Sequence, residues 1–231
     1  MPEQLAFDLF SPSSLSEESY YIAPANEVAF TTLSKWPDWP DIRSIYLYGE
    51  RGSGKSHLSA IWQKKSEACS LSSKDLSLEN VLSYLPNLTS FVLEDIEYLK
   101  DEESLFHLLN LVKEKQGGLL LTSQLKPSAL PFSLPDLMSR LKSLPFLEIS
   151  RPDEQLLKIL FLKRFSDIQL KVSPQVLDYG LKYLRRSYCM LDDLVNLVDK
   201  LNWQEQKPLT VPLLKRAFSI LQESSLGKTH F

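Results

Sequence analysis

The sequence predicts an α/β fold in which helices cover both faces of a parallel sheet, followed by a small all-helical domain. Up to about residue 150, short apolar runs alternate with helical patterns. Fully apolar strands of this kind are typical of parallel sheets buried on both faces. After Pro152 only amphipathic helical periodicity remains. We therefore expect three parts: an N-terminal segment over 1–19, an α/β domain over 20–150 and a helical domain over 151–231.

Composition excludes several classes of protein. The 231 residues are 43% hydrophobic and 24% charged, with a net charge of −3. No apolar run approaches the ~20 residues of a membrane span, and no long basic block predicts DNA binding by the whole surface. Cys69 and Cys189 match no metal or redox spacing. We expect both to be buried as small hydrophobic residues in a cytoplasmic protein.

The first ten residues, "MPEQLAFDLF", have the pattern of an extended strand. Leu5, Phe7 and Leu9 alternate with Ala6 and Asp8, and the segment has no basic region or apolar core that would indicate a targeting signal. The polar stretch "SPSSLSEES" then predicts a flexible leash. A short apolar strand on a leash indicates a binding partner, and packing of the tail on its own domain is the alternative.

The elements of the α/β domain follow in chain order. Asn26 is a candidate N-cap for a helix that ends at "WPDWPD", because proline cannot continue it. We predict buried strands at 45–48, at 90–93, in "GGLLLTS" and in "LPFLEISRP", helices after residue 55 and over 105–112, and mostly loop with a short strand or helix over 67–80. In the helical domain, Asp153, Ser173 and Thr210 occupy predicted N-cap positions.

The stretch "GERGSGKS" matches the phosphate-loop pattern G-x-x-x-x-G-K-[ST]. Glycines allow successive N–H groups to surround phosphate oxygens, and the following helix adds the positive end of its dipole. A glycine-rich turn without a ligand is the alternative, but the position between an apolar strand and a helix favours nucleotide binding. We assign the binding of ADP or ATP to Gly49, Gly52, Gly54, Lys55, Ser56 and His57, and one Mg²⁺ ligand to the Ser56 hydroxyl.

Two acids follow the second predicted strand. In "FVLEDIE", Glu94 ends the strand and Asp95 follows it, about forty residues after the phosphate loop. A Walker B carboxylate that holds Mg²⁺ and a catalytic acid that positions water occupy such places. We assign Glu94 to the metal and nucleotide site and Asp95 to catalysis. Solvated loop acids are the alternative.

Taken together, these motifs resemble the AAA+ family. More narrowly, "YGERGSGKSHL", "LLLTSQLKPSAL" and "LPDLMSRL" resemble the replication initiator DnaA and its shorter relatives over about 20–225. The resemblance implies an AAA+ P-loop sheet followed by a helical lid. DnaA also carries a DNA-binding helix-turn-helix domain that finds no match in this chain, so we expect neither a full initiator nor direct sequence-specific DNA binding.

Within these relatives, "QLAFDL" resembles the N-terminal sliding-clamp motif of the Hda-type regulatory inactivators of DnaA. The resemblance implies that Gln4, Leu5, Phe7 and Leu9 bind the clamp, the β subunit of DNA polymerase, as an extended peptide. It also implies that the chain stimulates hydrolysis of DnaA-bound ATP and so regulates replication initiation negatively.

The resemblance assigns two further roles. Arg140 corresponds to an arginine finger that acts on a neighbouring protein's nucleotide; a surface ion pair with Asp136 is the alternative. Thr122 and Ser123 occupy the sensor 1 region, with Ser123 assigned to the nucleotide. Gln124 stands where DnaA commonly has an acid, which weakens a sensing role.

Two departures from the family predict weak or no intrinsic ATPase activity. The first Walker B acid is Glu94 where most relatives have Asp, and Leu191 aligns with the sensor 2 arginine, for which Arg185 or Arg186 could substitute. Both departures suit a protein that holds ADP and acts in trans. An autonomous ATPase similar to the DnaC helicase loader, and an adaptor that recruits DnaA elsewhere, are the alternatives. A finger on one surface and a nucleotide on another are also compatible with a homodimer.

Overall fold

The computed structural model describes residues 15–39, 43–84, 89–205 and 208–226. The described residues fall into two compact units, an α/β unit, Leu15–Ser150, and a helical unit that begins at Arg151. The helices of the α/β unit are α1 (Glu27–Ser34), α2 (Lys55–Ser66), α3 (Leu78–Tyr84), α4 (Glu102–Glu114) and α5 (Pro135–Ser143). Its strands are β1 (Ser44–Gly49), β2 (Cys69–Ser72), β3 (Phe91–Glu94), β4 (Leu119–Ser123) and β5 (Phe146–Ile149).

The five strands form one parallel sheet in the order β2-β3-β4-β1-β5. In this order β1 lies between β4 and β5, and β3 lies beside β4. Because all the strands run in the same direction, the residues that follow β1, β3 and β4 meet at the carboxyl edge of the sheet. The predicted parallel α/β fold is confirmed.

Helices pack on both faces of the sheet because its side chains alternate in direction. On one face Tyr46, Leu93 and Leu121 join an apolar core with residues of α3, α4 and α5. On the other, α2 contacts β1, β3 and β4, and α1 contacts α2 and β5. There, Trp62 of α2 stacks on Trp39 with ring centroids 5.0 Å apart.

Several local expectations are refined by the structure. The stretch 67–80, expected to be mostly loop with one short element, contains all of β2 and the beginning of α3. Asn26 stands at the N-cap position of α1 but gives no cap bond, because its Oδ1 accepts from the Ala23 N–H at 2.9 Å instead. The two cysteines, expected to be buried, are free and half-buried.

The helical unit contains α6 (Glu154–Asp167), α7 (Pro174–Tyr183), α8 (Tyr188–Glu205) and α9 (Val211–Leu226). The expected caps are present: Asp153 accepts from Leu156 N–H at 2.7 Å, and Ser173 and Thr210 accept at 3.4 Å from the third residue beyond each. The unit has its own core, centred on Phe161 and Phe165. None of the helices in the described ranges is long and apolar enough to cross a membrane.

Glu102, the first residue of α4, forms hydrogen bonds with the two residues that precede α5. Its carboxylate accepts hydrogen bonds from Ser133 N–H, Ser133 Oγ and Leu134 N–H, at 3.0, 3.1 and 2.7 Å. Partial burial opposes the charged form, but these bonds outweigh it and hold the pKa of Glu102 below its ordinary value. Glu102 therefore stabilises the fold only while it is ionised.

Replacing Glu102 with Gln should lower the free energy of unfolding at pH 7 by about 1–2 kcal/mol, because an amide NH₂ would then face N–H donors. Since the folded-state pKa is depressed, the stabilisation is present above the unfolded value of about 4.3 and is lost as pH falls through the folded value. The difference between native chain and variant in urea denaturation should therefore shrink below about pH 4. Glu103→Gln, an exposed acid in the same helical turn, should cost little at either pH; a pH-independent E102Q effect would contradict the argument.

Candidate functional site

The phosphate-loop residues form a tight turn between β1 and α2. Gly52 and Gly54 have φ values of +79° and +98°, in the left-handed region that other residues adopt only at a cost. A Cβ on Gly49 would lie 2.9 Å from the Ile149 carbonyl oxygen and 2.9 Å from Ser53 Oγ. The glycines of the motif are therefore required by the backbone path, and the loop leads directly into the first turn of α2.

Lys55, the first residue of α2, is 7% exposed. Its Nζ donates to the carbonyl oxygens of Gly49 and Glu50 at 2.9 and 3.2 Å, which closes the loop. Burial lowers the pKa of Lys55, while nearby carboxylates, chiefly Asp95 and Glu97, oppose the shift. The loop thus has a buried cation at the place where phosphate oxygens would be bound.

His57 lies in the same turn of α2, but its ring faces the chain that precedes α1. Nε2 is 2.8 Å from the Ser16 carbonyl oxygen and 3.3 Å from Ser19 Oγ, and the Tyr20 ring meets the imidazole edge-on at 5.0 Å. The Tyr20 ring also lies close to Gly54, 3.4 Å from the position of a Cβ there. Residues Glu17–Ser19, assigned to the leash from sequence, form a single 3₁₀ turn beside the loop.

The two predicted acids lie at the carboxyl end of β3. Asp95 has a φ of +53°, and its N–H donates to Thr122 Oγ1 of β4 at 3.2 Å. Burial and the neighbouring Glu97 carboxylate raise the pKa of Asp95, while Lys55 and Lys74 lower it. Residues 94–97, which we call the acid turn, are therefore fixed to the end of β4. They lie close enough to the phosphate loop for Asp95 and Lys55 to interact electrostatically.

The last two residues of β4 and the residues that follow them complete this edge. Thr122 and Ser123 are both buried, but the Ser123 hydroxyl accepts from Leu125 N–H at 3.0 Å, whereas the Thr122 hydroxyl contacts the acid turn. Gln124 N–H donates to Glu97 Oε1 at 3.1 Å. Glu97 was not predicted as a site residue, and its place two residues after Asp95 is its only local signal.

A cation fits the residues of this edge. Glu94 Oε1 is buried and has no hydrogen-bond partner among the described residues, so it offers an unused ligand atom. Ser56, in the first turn of α2, is exposed. The described ranges contain no group of three or more His, Cys, Asp or Glu side chains able to hold a metal by themselves. The arrangement therefore suits Mg²⁺ that takes most of its ligands from phosphates and water.

Arg140 lies away from this edge, on α5. Its guanidinium donates to Asn110 Oδ1 and lies over the Phe106 ring, with Cζ 4.6 Å from the centroid. Phe106 and Asn110 are one turn apart on α4, so they share one helical face. Within the described ranges Arg140 forms no ion pair with Asp136, which was the alternative expected from sequence. Arg140 is thus half-buried and held in one orientation.

The remaining sequence-predicted residues are distributed differently. Leu191 is 1% exposed and belongs to the core of the helical unit, so its side chain is used in packing. Arg185 and Arg186 are exposed in a turn where both have positive φ, at 47° and 55°. Gln4, Leu5, Phe7 and Leu9 lie outside the described residues.

Comparison with solved structures shows which known fold the chain has. The architecture matches domain III of DnaA from Thermotoga maritima with a TM-score of 0.71 at 17% identity, covering 90% of this chain and 96% of that domain. It also matches AMPPCP-bound DnaA from Aquifex aeolicus with a TM-score of 0.62 at 17% identity, over 79% of this chain and 64% of that one. These matches show that the chain has the α/β fold of AAA+ proteins such as DnaA.

Proteins that are similar in sequence identify the family of the chain more narrowly than the fold does. No family model matches the chain. An uncharacterized protein of Haemophilus influenzae is 30% identical over 189 residues, which are 76% of this chain and 81% of that protein, and the chain belongs to the same family. DnaA of Buchnera aphidicola subsp. Cinara cedri is 23% identical over 202 residues, 78% of this chain and 46% of DnaA. The chain is similar in sequence to DnaA and spans about half the length of the DnaA proteins that it matches.

Substitution of Lys55 by Ala should weaken binding of adenine nucleotides by roughly 10- to 100-fold, because a buried charge-assisted contact to phosphate is lost. Isothermal titration calorimetry with ADP and with ATP measures this effect. Lys64→Ala, which removes an exposed lysine of the same helix, should bind as the native chain does. Equal affinities of native chain and K55A would show that Lys55 does not contribute to nucleotide binding.

Proposed function

We propose that the chain is a nucleotide-binding regulator of replication initiation that stimulates hydrolysis of ATP bound to DnaA and thereby inactivates the initiator. Homology to the DnaA AAA+ domain supports a place in this system. The observation that carries the proposal is the orientation of Arg140. Asn110 and Phe106 hold its half-buried guanidinium in one orientation on α5, and this supports a role in which Arg140 acts on another protein's nucleotide.

The chemistry of arginine suits this role. A guanidinium remains charged at all physiological pH values and stabilises negative charge that develops on a transferring phosphoryl group. Because Asn110 and Phe106 already fix the side chain, little conformational entropy would be lost when the neighbouring nucleotide is reached. Arg140 would then supply the charge, while DnaA would supply the bound ATP.

The chain's own nucleotide would serve mainly to hold the domain in its active form. We propose ADP or ATP as the ligand of the phosphate loop; one similar structure is DnaA bound to AMPPCP. Ser56 and Glu94 would hold Mg²⁺, which neutralises phosphate charge when it is bound. Glu94 is one methylene longer than aspartate, and a displacement of about 1 Å at a catalytic centre can cost about 10²-fold in rate. Intrinsic hydrolysis would therefore be slow.

The N-terminal segment provides the tether in this proposal. Gln4, Leu5, Phe7 and Leu9 would bind the sliding clamp as an extended peptide, with the apolar side chains in a groove and Gln4 giving amide hydrogen bonds. The chain would then act in the cytoplasm, on clamps loaded at DNA, without reading DNA sequence itself. In a homodimer of the free protein, the surface that carries Arg140 would be covered by the second copy.

An autonomous ATPase of helicase-loader type is the second candidate function. The observation that favours it is the acid turn, in which the Asp95 backbone N–H donates to Thr122 Oγ1; Asp95 would then serve as the catalytic acid. Rapid steady-state ATP turnover by the isolated chain would support this candidate and contradict the first.

Arg140→Ala should abolish stimulation of DnaA-bound ATP hydrolysis, with a loss of about 10³-fold or more in the stimulated rate. Arg140→Lys should recover little, because an ammonium lacks the planar fork of donors. Single-turnover hydrolysis with clamp loaded on DNA measures the rate. Lys142→Ala, an exposed cation on the same helix, should stimulate normally; a fully active R140A chain would exclude Arg140 as the finger.

A double change of Gln4 and Leu5 to Ala should abolish binding to the clamp and leave ADP affinity unchanged, because the tether and the phosphate loop are separate sites. Surface plasmon resonance on immobilised clamp and calorimetry with ADP measure the two properties. Pro2→Ala, beside but outside the motif, is the matched control. Retention of clamp binding by the double variant would contradict the tether.

A further inference from the structure

Charge is divided unevenly along the chain. Residues 1–150 contain thirteen Lys or Arg and twenty Asp or Glu, whereas residues 151–231 contain thirteen Lys or Arg and nine Asp or Glu. The helical unit therefore belongs to a segment with a net charge of +4, in a chain whose net charge is −3. A basic segment within an acidic chain indicates contact with an anionic partner, and the positions of its cations indicate where that contact would form.

Two of these cations occupy a turn that is unusual for arginine. The Ser187 N–H donates to the Leu184 carbonyl oxygen at 3.1 Å, and Arg185 and Arg186 are the two central residues of this turn. Both have positive φ, at 47° and 55°, a conformation in which Gly, Asn and Asp are the usual residues. Both side chains are exposed, and neither forms an ion pair or a hydrogen bond with the described residues. Two arginines are thus held at strained positions without a counter-charge from the described part of the chain.

Aromatic rings lie immediately before this turn. Tyr183, the last residue of α7, is 37% exposed, and its ring lies against those of Tyr179 and Phe218 with centroids 4.7 and 5.5 Å away. Phe218 of α9 is buried and belongs to the core of the helical unit, so it anchors both tyrosines. A ring that is supported in this way and still partly exposed loses little conformational entropy when a planar group stacks on it.

Two lysines border the same rings. Lys215 Nζ of α9 lies 5.7 Å from the centroid of the Tyr179 ring, and Lys182 is exposed in the last turn of α7. The helix dipole favours a cation at the end of a helix, which explains Lys182 without a partner but does not explain the arginines beyond the helix. Asp178 is the single acid of α7. The resulting surface, which we call the tyrosine–arginine face, comprises Tyr179, Lys182, Tyr183, Arg185, Arg186 and Lys215.

Cations combined with an exposed aromatic ring suit a single-stranded nucleic acid. Guanidinium and ammonium groups pair with phosphates, while an unpaired base stacks on a tyrosine ring whatever the identity of the base. In a duplex the bases are paired and stacked on one another, so a ring at the protein surface meets no free base. An acidic peptide would use the cations but would leave the ring without a planar partner.

We propose that the tyrosine–arginine face binds single-stranded nucleic acid without regard to sequence, with its cations on the phosphates and Tyr183 stacked on a base. This binding gives Arg185 and Arg186 a role other than the sensor 2 substitution considered from the sequence. The face lies in the helical unit, whereas the phosphate loop and Arg140 lie in the α/β unit. The binding activity therefore does not depend on the proposed function.

Arg185→Asn combined with Arg186→Asn tests the charges. Asparagine adopts positive φ more readily than arginine, so the variant should be at least as stable as the native chain in urea denaturation. Fluorescence anisotropy of a labelled oligothymidylate of about 16 nucleotides measures binding by the full chain between about 50 and 200 mM salt. We expect the affinity at the lowest salt to fall roughly tenfold. The slope of log K against log salt should become shallower by about 1.4, because each neutralised phosphate of a single strand contributes about 0.7.

Tyr183→Leu tests stacking separately from charge. Leucine keeps an apolar side chain beside Phe218 but offers no ring to a base. The variant should bind the oligothymidylate roughly tenfold more weakly, with the salt slope of the native chain. The native chain should also prefer this single strand to a duplex of the same length.

Lys158→Gln combined with Lys200→Gln is the matched control, since it removes two exposed cations of α6 and α8, in the same unit but outside the face. It should change the affinity by no more than about twofold, because salt screens charges that do not contact the strand. Absence of binding at about 50 mM salt, native affinity in the arginine variant, or an equal loss in the control would overturn the proposal. Native affinity in Y183L, or equal binding of duplex and single strand, would also overturn it, since the face would then bind anions without stacking. None of these results bears on Arg140 or on the phosphate loop.

Discussion

Lys55 Nζ donates to the Gly49 and Glu50 carbonyl oxygens from a nearly buried position, and the geometry of the site depends on this contact. A buried ammonium is stable only when hydrogen bonds and opposite charges compensate for lost hydration. The loop carbonyls give the hydrogen bonds, and the acid turn after β3 gives the charge. The phosphate loop and the acid turn therefore stabilise each other before any ligand binds.

The same compensation explains the position of the carboxylates. The Glu97 carboxylate accepts from the Gln124 N–H, and the Asp95 backbone N–H donates to Thr122 Oγ1, so the acid turn is attached to the end of β4 and to the residue that follows it. Charges that are held this firmly act as fixed features of the site. They can favour one ligand charge over another without any movement of the protein.

A second rigid region lies on α4 and α5. Glu102 binds the start of α5, and Asn110 with Phe106 holds Arg140 further along the same helix pair. These contacts join α5 to α4 at two separate places, one before the first residue of α5 and one within it. The α/β unit thus carries the phosphate-loop edge and Arg140 on one apolar core, so that packing in that core supports both.

The sequence by itself determined the parallel α/β fold, the helical segment after Pro152 and the position of the phosphate loop, because apolar runs, glycines and caps act over a few residues. It also located Glu94, Asp95 and Arg140 within their elements.

Only the tertiary structure decided that Arg140 contacts Asn110 rather than Asp136, and that Thr122, not Ser123, contacts the acid turn. The contact between Gln124 N–H and Glu97 also depends on the tertiary structure, because strand order joins residues that are twenty-seven positions apart in the chain. Such contacts depend on which strands are neighbours, and local patterns carry no information about that.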